Sequence, residues 1–267
     1  MSEDINNAVV PVVATGGSVT QVTSKLLGAT SILMSDGFKE AWAISWQKIM
    51  ENAATKTPDL DDGKATNLRV TCEVFRHGSI TDDPICIDYF GGILAASRST
   101  DGKNDTAIHY LDCIKAMSAK QLHLHYAIYS SAQRLFVKSG KHPNVMQGSE
   151  LTTAPVWLSS IELSRLGLQQ DFDLPVLHRL GLVSEYKTDV HRLQDNQVVP
   201  YSMLKITTFG VLLYCAAMNK LLFAREFPFR VFEGNPEIAV PQCFGATIEG
   251  LIQAGERLAS PTPANAP

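Results

Sequence analysis

The 267-residue sequence predicts a mainly α protein, an N-terminal helical bundle followed by a small α+β domain. Three observations predict it. Residues 82–136 carry three apolar stripes at helical spacing, two of them behind strong helix-start signals. Residues 138–153 interrupt that pattern with Gly140, Pro143 and Gly148. Beyond them a Leu-Gly-Leu helix ending occurs twice, and the second runs straight into strand-like alternation. The domains drawn from this are 1–140 (helical), 154–258 (α+β, with a C-terminal extension) and 259–267 (a disordered tail).

Taken in order, residues 1–20 are small or polar outside a short apolar patch, and residues 19–33 are weakly amphipathic. Asp36 marks the start of the first convincing helix, with Phe38, Trp42, Trp46, Ile49, Met50 and Ala53 inward. Two tryptophans on one face suit a core. A membrane-lying helix would favour Lys and Arg opposite them, whereas Lys39 and Lys48 stand beside Glu40 and Glu51. Thr57 to Gly63 has linker composition. Leu68, Val70, Cys72 and Val74 alternate as a strand would, but no neighbouring segment offers a strand partner, and the segment is read as a helix.

At the centre, Asp82-Asp83 can accept free N–H groups and Pro84 suits a first helical position. Ile87, Phe90 and Leu94 then share a face. Gly91-Gly92 weakens that helix by about 1 kcal/mol per glycine against alanine, which close packing must offset. Phe90, Gly91, Gly92, Ala95 and Ala96 therefore form a candidate groove, for another helix of this chain or for a partner. Asp105 is read as the cap of a helix bearing Ile108, Leu111 and Ile114. Ser118 and Gln121 form a capping box ahead of Leu122, Tyr126, Tyr129 and Phe136.

In the C-terminal part, Leu163–Leu168 and Leu177–Leu182 each read as a helix end closed by glycine. Leu182 to Tyr186 and Tyr201 to Thr207 read as strands around a polar stretch, and Thr208-Phe209-Gly210 opens a helix. Helix, Leu-Gly-Leu, hairpin, helix resembles a winged-helix domain. On that resemblance His178, Arg179, Lys187, His191 and Arg192 are the candidate nucleic-acid or partner contacts. Ala246 to Leu258 reads as a last short helix.

Two passages together resemble the abortive infection alpha (Abi-alpha) family of bacterial proteins. The first is Asp82-Asp83 followed by Tyr89-Phe90-Gly91-Gly92-Ile93-Leu94-Ala95-Ala96-Ser97 and then Met117-Ser118. The second is Leu180-Gly181-Leu182-Val183 followed by Thr207-Thr208-Phe209-Gly210. Where the family usually has Trp-Ala-Asn-Leu-Leu-Ala, this chain has Phe90-Gly91-Gly92-Ile93-Leu94-Ala95, as a divergent member would. The resemblance implies a cytoplasmic phage-defence protein acting through protein contacts, a second copy of itself among the partners to consider.

Composition bounds the chemistry. A net charge of −4 argues against a general nucleic-acid coat, though a local basic face would allow a winged-helix regulator, the alternative reading. Five scattered cysteines with no CxxC pair suit a reducing compartment without structural zinc. His123 and His125 point apart on a helix and cannot share a metal ion. Arg76-His77 with Asp82-Asp83 has capping and surface explanations. No nucleotide-binding, serine-hydrolase or metalloprotease motif occurs, so no enzyme activity, cofactor or metal is expected. No apolar run reaches membrane-spanning length, and the acidic start, without a basic segment, leads us to expect no secretory leader. An inserting role for Val211–Ala224 is opposed by Asn219-Lys220.

Overall fold

A computed structural model of the chain describes residues 36–193 and 197–259; the expectations for residues 1–33 and 260–267 lie outside them. About 53% of the residues are helical and four strands form one antiparallel sheet, so the architecture is mixed α+β. No described helix is long and apolar enough to cross a membrane.

Helix α1 spans Asp36–Thr55. Its Trp42 and Trp46 grip Phe75 of α2 (Leu68–Gly78), with ring centroids 4.6 and 4.9 Å away. The period-two stretch is thus helical: Asn67 accepts from the Val70 N–H, and Val70 and Val74 are buried four residues apart. The linker between them is pinned, because Arg98 donates to the carbonyls of Asp59, Leu60 and Lys64 and to the Asp62 carboxylate at 2.7 Å.

Helix α3 (Pro84–Ala96) starts as its sequence dictates, with the Asp83 carboxylate accepting from the Ile85 N–H at 3.0 Å. Every residue from Ile85 to Ala95 is buried, so neighbours surround it on all sides. Helix α4 (Ile108–Lys115) corrects the reading of Asp105. Its N-cap is Ala107, without a side-chain cap, and the Ile108 N–H reaches only the Asp105 backbone carbonyl. The Asp105 side chain is exposed and lies 3.9 Å from Arg69.

Helix α5 (Ala119–Ser139) opens with the Ser118–Gln121 capping box and closes on Gly140 at φ +64°. It is the axis of the molecule. Leu122, Ala127, Ile128, Tyr129 and Ala132 are fully or almost fully buried, and its apolar neighbours come from both sides of residues 140–154. A single buried cluster runs from Ile49 to Ile238. The Tyr129 hydroxyl donates to the Leu182 carbonyl and accepts from the Thr207 N–H at 3.2 Å, tying both ends of the later hairpin to α5.

Within residues 138–153 the short helix α6 (Gly148–Thr152) buries Leu151. Strand β1 (Val156–Ser159), which sequence reasoning missed, leads into α7 (Ser160–Arg165) and α8 (Gln170–Arg179). Both helices end as read. Gly167 and Gly181 have φ near +75° and +72°, and the Leu168 and Leu182 N–H groups reach back to Leu163 and Leu177 at 2.9 Å. Strand β2 (Val183–Arg192) extends through part of the stretch read as a polar connection, and β3 (Val198–Ile206) returns beside it. Helix α9 (Thr208–Ala217) is capped by Thr207.

After a 3-10 turn (Leu221–Glu226) the chain wraps α5 without regular structure. Gln133 accepts from the Phe232 N–H, while Arg134 donates to the Pro241 carbonyl. The two-residue β4 (Phe244–Gly245) and α10 (Ile248–Ala259) complete the described chain, α10 running one residue into the segment read as tail. Sheet order is β2-β3-β1-β4.

Candidate functional site

The groove read from Phe90, Gly91, Gly92, Ala95 and Ala96 is filled by this chain itself. A Cβ on Gly92 would lie 1.7 Å from the Ala217 carbonyl oxygen of α9, and one on Gly91 would lie 2.4 Å from Asn52 Oδ1 of α1. The glycines let two helices reach α3 at backbone distance. The contact encloses a polar lock that sequence reasoning missed. Asp88 is wholly buried and pairs with Lys56 Nζ at 2.9 Å. The same ammonium donates to the carbonyls of Asp88 at 2.7 Å and Ala217 at 2.8 Å. Asn219, with a φ of +51°, donates to the Lys56 carbonyl. Burial lowers the Lys56 pKa against the pull of Asp88. Asn52 in the last turn of α1 and Lys56 just past its end both meet Asp88, 36 and 32 residues downstream, a pairing that no local pattern reveals.

Beside the lock lies an aromatic centre. Tyr89 and His125 Nδ1 are 2.5 Å apart, and His125 packs on Tyr129 at 4.4 Å. Burial drives the His125 pKa down to about 3 and the Tyr126 pKa up to about 12. These groups are sealed within the core, and substrate has no route to them among the described residues. His123 turns away, its Nε2 2.7 Å from the Ala239 carbonyl. Arg76 and His77 face Glu73, at 3.8 and 3.4 Å, rather than Asp82 and Asp83. No group of three or more His, Cys, Asp or Glu gathers for a metal ion among the described residues.

The five residues marked as partner or nucleic-acid contacts are not on one surface. His178 and Arg179 end α8, and His178 meets the Tyr186 ring at 5.7 Å, so α8 covers the sheet face that carries Tyr186. Strand alternation puts Thr188, Val190 and Arg192 on that face, and Lys187 and His191 on the other. On the far face Lys187 is paired with Asp189 at 2.7 Å, and the neighbouring Trp157, Val199, Tyr201 and Met203 pack under Ile248 and Leu251 of α10.

Beside His178, Arg179 and Arg192, the α8 side presents apolar side chains. Ile161, Val190 and Val198 are about half exposed and Phe172 is 75% exposed. Pro200 lies opposite Val190 in the ladder and shares a shallow pocket of ≈ 500 Å³ with Ile161, Ser164, Arg165 and Gln170. Isolated exposed apolar side chains are ordinary, but Ile161, Pro200 and Val190 adjoin one another, as residues of a contact surface do. A second cleft, of ≈ 490 Å³, lies between the end of α5 and β4–α10, lined by Lys138, Ser139, Gln242, Phe244 and Gln253 among others. Comparisons of the chain with family models, curated proteins and solved structures return no match.

Proposed function

We propose that this chain is a cytoplasmic bacterial protein of abortive-infection type, acting in phage defence through protein contacts, and that residues 154–217 form a winged-helix unit used to hold a protein. The winged-helix reading is supported by element order: a strand, two helices joined by a tight turn, then a hairpin whose second strand pairs with the first strand of the unit. In that arrangement α8 takes the recognition position and β2–β3 the wing. The abortive-infection reading is supported by the two ordered passages of resemblance. Gly92 and Gly181, one in each, sit where a side chain would be obstructed or strained.

The observation that carries protein over DNA is the outward face of α8. Asp171, Phe172 and Pro175 are exposed there, with His178 and Arg179 only at its end. A helix entering a DNA groove needs several cationic contacts to phosphate, because counterion release supplies most of the affinity. This helix offers an acid and a phenyl ring to the same space.

An affinity pull-down of the tagged protein from its host, with and without phage infection, tests this by mass spectrometry and absorbance at 260 nm. A protein partner captured by the parent and lost on Phe172→Ser supports the reading. Nucleic acid without a protein partner favours the alternative, a winged-helix DNA-binding regulator, which the same element order supports. A salt-dependent gel shift separates the two: duplex binding weaker than about 10⁻⁴ M at physiological salt excludes the regulator.

A further inference from the structure

Strand β2 ends the sheet. It pairs with β3 on one side, and among the described residues no strand covers its other side. The ladder is irregular between Val183 and Glu185, but from Glu185 to Arg192 it is regular, and eight residues is long for an edge that no strand covers, which invites pairing with another strand. Its side chains are ordered in a particular way: Ser184, Glu185, Tyr186, Lys187, Thr188, Asp189, Val190, His191, Arg192. Reading outward from Thr188, a base meets an acid, an aromatic meets an aliphatic, and an acid meets a base.

We propose that β2 is a homodimer edge, pairing antiparallel with the β2 of a second copy about a two-fold axis through Thr188. That register sets Lys187 against Asp189 of the other copy and Glu185 against its His191 on one face. On the opposite face it sets Tyr186 against Val190, and the register shift at Ser184 ends the regular pairing there. Two-fold pairing must keep side chains on their own faces, so the axis can pass only through a residue. Centring it on Lys187 opposes Glu185 with Asp189, and centring it on Asp189 opposes Lys187 with His191. Like charges directly opposite are unfavourable. Centres at Tyr186 or Val190 avoid the clash but shorten the ladder. Thr188 alone matches charge over the seven residues from Glu185 to His191. It also covers Val190, which is half exposed in the single chain, and it stands whatever the winged unit binds.

Sedimentation of the full chain over a range of concentrations tests this, with circular dichroism confirming folding. The parent should reach a dimer. Lys187→Asp or Asp189→Lys alone should raise the dimer dissociation constant at least about tenfold, and the two together should restore it. In a Cys72→Ser background, Thr188→Cys should give a disulfide dimer on mild oxidation. The two cysteines would face each other about 4.5–5.5 Å apart at Cα, within disulfide reach. Ser184→Cys should not, since its copies would lie about 26 Å apart. A parent that stays monomeric at every concentration overturns the proposal, as does a dimer indifferent to both charge reversals. So does an edge that instead captures an extended peptide while the chain remains monomeric.

Discussion

Replacing Gly92 by alanine should be among the most damaging single-methyl additions in this protein. The new Cβ would lie 1.7 Å from the Ala217 carbonyl oxygen, 2.3 Å from its carbon and 2.8 Å from its Cα. All three are backbone atoms, so no side chain can rotate aside. An ordinary carbon–oxygen contact is about 3.3 Å, so α3 and α9 must part by about 1.6 Å. Overpacking of this kind costs about 1–3 kcal/mol. The parting also breaks the bridge at Lys56, whose ammonium holds the Asp88 carbonyl of α3 at 2.7 Å and the Ala217 carbonyl of α9 at 2.8 Å. Losing one hydrogen bond to a charged group costs about 1.5–3 kcal/mol. Alanine returns about 1 kcal/mol of helix propensity.

The net loss is about 3 kcal/mol, or about 6–12 °C in melting temperature for a chain of this size. Thermal and urea unfolding of Gly91→Ala and Gly255→Ala supply the internal comparison. At Gly91 the added carbon meets only the Asn52 side chain, which can turn, so the loss should be about 1 kcal/mol. At Gly255 nothing lies within 4 Å, and alanine should be neutral or stabilising by up to about 1 kcal/mol. If Gly92→Ala melts within about 2 °C of the parent, the close approach of α3 and α9 is wrong.

The buried imidazole gives a pH test. With the folded His125 pKa held near 3 against 6.5 in the open chain, the unfolded state alone takes up that proton as pH falls below 6.5. Stability should drop by about 2 kcal/mol between pH 6.5 and 5, and His125→Gln should remove that part of the slope in urea titrations; an identical slope in the variant refutes the assignment. Lys56→Met strands the Asp88 carboxylate in the core and should cost about 3–5 kcal/mol by chemical unfolding, with Asp88→Asn in the same chain recovering part of it. Ser118→Ala should cost about 1 kcal/mol, whereas Asp105→Ala should stay within about 0.5 kcal/mol; melting curves of equal shift would show that the α5 capping box is not formed.

The helix boundaries that could be read were those written locally. Asp83-Pro84, Ser118 with Gln121, and the glycines at 167 and 181 each act on N–H or carbonyl groups within one turn, so residue order alone places them. Asp105 resembled such a signal, but the helix started two residues later and its carboxylate stayed in solvent. Strands β1 and β4 have four and two residues, too short for any period, and exist because β3 and then β1 offer them an edge. The Lys56–Asp88 lock lies beyond local reading altogether, since it depends on the angle at which α1 crosses α3.

The candidate contact residues are divided by the fold, and the division is informative. His178 and Arg179 come from the end of a helix, and Lys187, His191 and Arg192 from the hairpin that follows. A strand divides close neighbours between two faces, and parity alone separates Lys187 and His191 from Arg192 once β2 is known to reach residue 192. The polar composition of 187–192 hid that length, because an edge strand exposed on much of its surface need not alternate apolar and polar residues. The same stretch that reads poorly as a strand reads well as a pairing edge: its acids, bases and apolar residues are ordered about Thr188 in a way that burial against its own core would not require. Selection on a sheet interior acts on one face of a strand. Here both faces carry complementary order, and that is the mark expected of an edge that meets its own image.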